Sequence, residues 1–147
     1  MQSKEQDMID MINGARTSRG LSFLRADERL TTAAWIHAND IAQHPGLGHV
    51  GSDGSTIGER IARSGYRATH FGEITGWGFS GQIAPMVDWW LASPDHAPRL
   101  LDPAMTDIGA GYAPGLGAWG HYWTVDMATG DGGEYAAYAP VTMAGGG

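Results

Sequence analysis

The chain has 147 residues, with 9 Lys and Arg against 16 Asp and Glu, a formal net charge of −7 and no cysteine. A single domain of this length buries about 68–70% of its unfolded surface, so a core forms without cross-links. The missing thiols exclude disulfides, thiolate zinc sites and cysteine nucleophiles. The acidic balance excludes a surface that tracks nucleic-acid phosphates. No apolar run reaches the roughly 18 residues that a bilayer demands, and the polar start "MQSKEQDMIDMINGAR" carries no apolar core of a signal peptide.

From Lys4 to Ser18, Met8, Met11, Ile12 and Ala15 recur at helical spacing, and Gly20 follows as a stop. Asp27 is placed to cap a second helix whose stripe is Leu30, Ala33, Ala34, His37 and Ile41. That helix ends before His44-Pro45, because a residue ahead of proline avoids the helical region. The Gly-rich stretch "GHVGSDGST" runs into Thr56-Ile57-Gly58-Glu59, which has the spacing of a capping box, and a short helix from Ile57 to Ser64 ends at Gly65. "ATHFGEITGWG" reads as extended. Ser80 is expected to cap a third long helix that buries Ile83, Met86, Val87, Trp90 and Leu91, with Ser93-Pro94 ending it.

After the turn-rich "SPDHAPRLLDPAMTD", Ile108, Ala110 and Tyr112 alternate with small residues, and "AWGHYWTVDMA" alternates again, so the two form a hairpin. In the second strand His121, Trp123, Val125 and Met127 share one face, and Tyr122, Thr124 and Asp126 the other. The order of helices, strand, helix and two closely connected strands argues against parallel winding and for an α+β layered domain. One domain is expected over 1–128, followed by a Gly/Ala-rich C-terminal tail over 129–147.

Four side chains sit in or beside elements rather than on a generic charged surface: His49, Glu73, His96 and His121. Two imidazoles and a carboxylate, as His49, Glu73 and His121 supply, suit a borderline divalent cation, zinc foremost, and leave a position for water. No short-range ligand motif anchors them, and a satisfied strand histidine stands as the alternative for His121. Glu73 lies in an apolar stretch, where a carboxylate needs a partner. His37 reads as a packed or hydrogen-bonded core histidine, and Trp89-Trp90 as core and helix-edge packing. No G-x-S-x-G elbow, P-loop lysine or dinucleotide fingerprint is present.

The segments "MIDMINGAR", "AAWIHANDIA", "GHVGSDGSTIGERIARSGY", "GEITGWG", "WWLASPDHAPRLLDPAMTDIGAGYA" and "GHYWTV" resemble, in order, those of the CAP superfamily (cysteine-rich secretory proteins, antigen 5 and pathogenesis-related proteins) in its compact bacterial SCP-like form. The resemblance implies an α-β-α sandwich with a small antiparallel sheet between helix layers. It also implies a cleft where two histidines and two acidic residues hold a divalent cation. Carried over, these positions fall on His49, Glu73 and His121, while the second acidic position falls on Ser93, a departure that His96 of "SPDH" is placed to offset. Ile74 stands where the family usually has asparagine.

The expected protein is thus a secreted or cell-envelope, monomeric, non-catalytic module that binds a divalent metal, a small molecule or a lipid, with His96 and Ser93 lining the cleft. A metal-dependent, peptidase-like hydrolase using the same cleft is the alternative, with an interaction domain of vestigial cleft as a third.

Overall fold

The computed structural model describes residues 2–115 and 120–130. The elements run α1 (Lys4–Thr17), β1 (Arg25–Ala26), α2 (Glu28–Gln43), α3 (Ile57–Arg63), β2 (His70–Trp77), a 3-10 turn (Phe79–Gly81), α4 (Ile83–Ala92), α5 (Ala97–Leu100), β3 (Asp107–Pro114) and β4 (His121–Thr129). The expected tail from residue 131 onward lies outside the described residues.

The helix signals act as written in the sequence. Asp27 accepts from the Arg29 and Leu30 amides at 2.8 and 3.3 Å to start α2, and Thr56 and Glu59 close a capping box on α3. One start differs: α4 begins at Ile83 rather than at Ser80, because Phe79 and Ser80 both adopt positive φ (53°) and interrupt any helix there. Pro85 thereby falls in the first turn, where its missing N–H leaves no helical bond unmade.

The four-stranded sheet has the order β1-β3-β4-β2. The β3–β4 hairpin and the β2–β4 pair are antiparallel. The sheet is nevertheless mixed rather than purely antiparallel, since the two-residue β1 pairs parallel with β3. Its alternation sorts two cores. Ile74, Ile108, Ala110, Trp123, Val125 and Met127 pack against α1 and α4, while Ala128 packs with Leu30, Ala33, Ile61 and Tyr66 beneath α2 and α3. The result is an α-β-α sandwich. Gly109 and Gly111 face α2, where an added Cβ would lie 2.1 Å from the Thr31 amide nitrogen and 2.4 Å from that of Trp35. The α2 backbone therefore rests directly on β3, and this close seating sets the inner face of α2, including His37, over the middle of the sheet.

Candidate functional site

Glu73 pairs with Asp126 across β2 and β4, on the face that looks toward α2 and α3. It is 1% exposed, and both of its oxygens are in use. Arg60 Nη2 of α3 donates to Oε1 at 2.7 Å, and His49 Nδ1 donates to Oε2 at 2.8 Å. Arg60 Nη1 also holds the His49 and Ser55 carbonyls at 2.8 and 3.1 Å, so one buried guanidinium fixes both the carboxylate and the Gly-rich loop. That loop is braced further by Asp40, which accepts from the Ser52 amide, and by Asp53, which accepts from the Ser55 amide. The His49 side chain keeps 48% of its surface in solvent.

Burial would raise the Glu73 carboxyl, but the hydrogen bond from His49 and the Arg60 guanidinium outweigh it and hold it below its ordinary range. Asp126 is wholly buried and goes the other way, pushed well up by burial and then by the Glu73 charge. The two carboxyls are thus driven apart, Asp126 toward its protonated form and Glu73 toward its anion. His37 lies 3.7 Å from Glu73 Oε2 and bonds the Gly48 carbonyl at 2.7 Å through Nε2. Burial lowers its pKa, so the neutral ring donates from Nε2 and leaves Nδ1 as a buried lone pair without a partner.

His96 lies on the segment after α4, within electrostatic reach of His49. Its Nδ1 shares a 2.8 Å hydrogen bond with Ser93 Oγ, which also accepts from the Asp95 amide. Burial lowers the His96 pKa, and the nearby charges of His49 and Arg99 lower it further against Asp95. Beside it runs a groove of about 360 Å³ lined by Thr75, Trp77, Phe79, Met86 and Trp89, with the Trp89 and His96 rings 5.1 Å apart. Trp77, Phe79 and Trp89 are 44%, 41% and 50% exposed. Exposed aromatics gathered along one groove are uncommon on a surface that meets only water.

The structure thus pairs His49 with Glu73 and Ser93 with His96, with the two imidazoles within electrostatic reach of each other, and it places His121 on the opposite face of the sheet from Glu73. His121 begins β4 on the face shared with Trp123 and Val125, opposite to Glu73. It also lies five residues along the strand from Asp126, roughly 16 Å away. It accepts from the Tyr112 hydroxyl at 2.5 Å and packs against Gly81, a satisfied strand histidine. A direct three-ligand site of His49, Glu73 and His121 therefore does not form. Among the described residues, no group of three or more His, Asp or Glu side chains is placed to hold a metal ion. In this arrangement both Glu73 oxygens accept a hydrogen bond, one from Arg60 and one from His49. His49 and His96 each have Nδ1 engaged, by Glu73 and by Ser93 respectively.

Arg60, Asp126 and His37 are the functional neighbours that the sequence reading did not assemble. Asp126 carried a signal, a carboxylate between apolar neighbours on a buried strand. Arg60 carried none, since an arginine in a short capped helix usually points to solvent.

A family model described as "CAP: Cysteine-rich secretory protein family" matches residues 9–127. YkwD of Bacillus subtilis (strain 168) is 26% identical over 117 residues, which are 78% of this chain and 44% of that protein, so the chain spans less than half the length of this relative. An extracellular SCP-domain protein from Bacillus anthracis superposes with a TM-score of 0.75 at 22% identity, over 85% of this chain and 40% of that one. An outer surface protein of Borrelia burgdorferi gives 0.75 at 21% identity, over 84% of this chain and 90% of that one. With its sandwich of helices around the sheet and a family match that runs from α1 through β4, the chain belongs to the CAP, or cysteine-rich secretory protein, family.

Proposed function

We propose that this chain is a non-catalytic binding module of a protein that works outside the cell or in its envelope. The proposed ligand site is the cleft formed by His49, Glu73, Ser93 and His96. The extracellular and outer-surface proteins that share the fold support the location. The binding reading rests on one observation: a buried anion, Glu73, spends an oxygen on His49 Nδ1 and so directs the other ring nitrogen outward from a half-exposed ring. Such backing gives a ligand-binding histidine a fixed tautomer and a more basic outward nitrogen. Zinc fits the His49–His96 pair as an open and weak site, completed by water or by a ligand. The aromatic groove beside His96 suits a small molecule with an apolar body and a polar end that reaches the imidazoles.

Zinc titration by calorimetry at neutral pH tests this on the wild type and on three variants. His49→Ala and His96→Ala each weaken binding by about tenfold or more, while His121→Ala leaves it unchanged. Equal binding by all four proteins would sink the assignment. The hydrolase reading has one observation in its favour, the 2.8 Å contact of Ser93 Oγ with His96 Nδ1. Against it, no carboxylate is hydrogen-bonded to His96 among the described residues, so the third group that orients a catalytic base is missing. Hydrolysis of an ester panel that disappears in Ser93→Ala would revive it.

A further inference from the structure

On the opposite side of the sheet from Glu73, a groove of about 750 Å³ runs between α1 and α4. Its floor is apolar and small: Met11, Gly14 and Ala15 on one side, Ile83, Val87 and Leu91 on the other. Gly14 keeps it open, since a Cβ added there would meet nothing within 4 Å. Met11 is 42% exposed for want of a neighbour. Its rim is acidic. Asp7 and Asp10 on α1 and Asp88 on α4 line the groove, with Arg19 at one end. Amide groups of Gln2 and Gln6 bond Asp7 and Asp10, but these donors are neutral, and no cation pairs with any of the three aspartates among the described residues.

We infer that the α1–α4 groove is a docking surface for a basic amphipathic helix of a partner protein. An apolar helical stripe at i, i+3, i+4 and i+7 suits an apolar floor lined by two helices. The three unpaired carboxylates then face the lysines or arginines that border the stripe. The same rim disfavours a fatty carboxylate or an anionic lipid headgroup, which would sit beside like charges. The net charge of −7 steers a basic partner toward the molecule from a distance.

The probe is a capped leucine–lysine peptide as long as α1, with its leucines on one helical face, and a leucine–glutamate peptide of the same pattern as its control. Calorimetry at low salt is expected to show binding of the lysine peptide and none of the glutamate peptide. Asp7→Asn, Asp10→Asn and Asp88→Asn combined weaken binding by about tenfold or more. Gly14→Leu retains every charge, favours the helix and fills the groove, so it abolishes binding while circular dichroism stays that of the wild type and melting is no lower. Binding that survives Gly14→Leu would reduce the effect to general charge attraction and overturn the proposal. So would absence of binding, binding of the glutamate peptide, or stronger capture by phosphatidylglycerol vesicles than by the lysine peptide.

Discussion

Burying Glu73 and Asp126 opposite one another puts two carboxyl groups out of reach of water, where only one of them carries charge. Arg60 and His49 decide which, because both hydrogen-bond Glu73 and neither bonds Asp126. The two residues therefore differ sharply in what their amides do. Glu73→Gln leaves the Arg60 guanidinium buried without its counter-charge, and a loss of about 3 kcal/mol in urea unfolding is expected. Asp126→Asn replaces a neutral acid by a neutral amide of the same shape, and the expected change is about 1 kcal/mol or less. Equal losses would mean that the proton sits elsewhere in the pair. The need of Glu73 for a partner was legible in the sequence, since a carboxylate within "FGEITGW" has to be compensated. Which groups compensate it was not, because Arg60, His49 and Asp126 come from three separate segments.

At the scale of elements, the caps and stops were written locally: Asp27, Thr56 with Glu59, and Gly65 each end or begin a helix through bonds to their own neighbours. The start of α4 was not. Its register follows from Phe79 and Ser80, held at positive φ where the chain leaves β2, a conformation that no local signal announces. The seating of α2 rests on Gly109 and Gly111, which the sequence shows only as small residues alternating with Ile108, Ala110 and Tyr112. Gly111→Ala drives a methyl group to 2.4 Å from the Trp35 nitrogen, and since backbone cannot yield as a side chain does, a loss of about 3 kcal/mol is expected. Thermal unfolding checks it. A variant as stable as the wild type would show that α2 shifts freely over the sheet, and the His37–Glu73 contact would then be loosely held.

Across the whole molecule the buried titratable groups set how stability varies with pH. His37 has a folded pKa lowered by burial, so below the unfolded value of about 6.5 the unfolded chain binds a proton that the folded one refuses, and stability falls. Glu73, lowered as well, contributes stability that is present above about pH 4.3 and lost as pH falls toward its folded value. Asp126 has the opposite sign: its contribution is full below about pH 3.9 and is lost as pH rises through its raised folded value. Over the same range the two contributions oppose each other in the wild type, so the His37 effect is read in Asp126→Asn, whose urea midpoint is expected to fall on acidification from neutrality to about pH 5. The wild type is expected to fall by less. An Asp126→Asn midpoint that does not change on acidification would mean that His37 is protonated in the folded protein.

The sequence by itself determined α1, α2 and α3, the caps that start α2 and α3, the β3–β4 hairpin and the faces of its strands, because each rests on periodicity or on bonds between near neighbours in the chain, whereas the short α5 lay unread in a turn-rich stretch. It also held the residues of the cleft among four candidates, His49, Glu73, His96 and His121, and its alternation already put His121 on the face of Trp123 and Val125. Only the tertiary structure decided which of them meet. Facing in a sheet is a matter of parity, and the β2–β4 register sets Glu73 with Asp126 on one side and leaves His121 on the other. The segment after α4 delivers His96 to the cleft instead, and α3 brings in Arg60. Such meetings depend on how separate segments are stacked, which no stretch of neighbouring residues specifies.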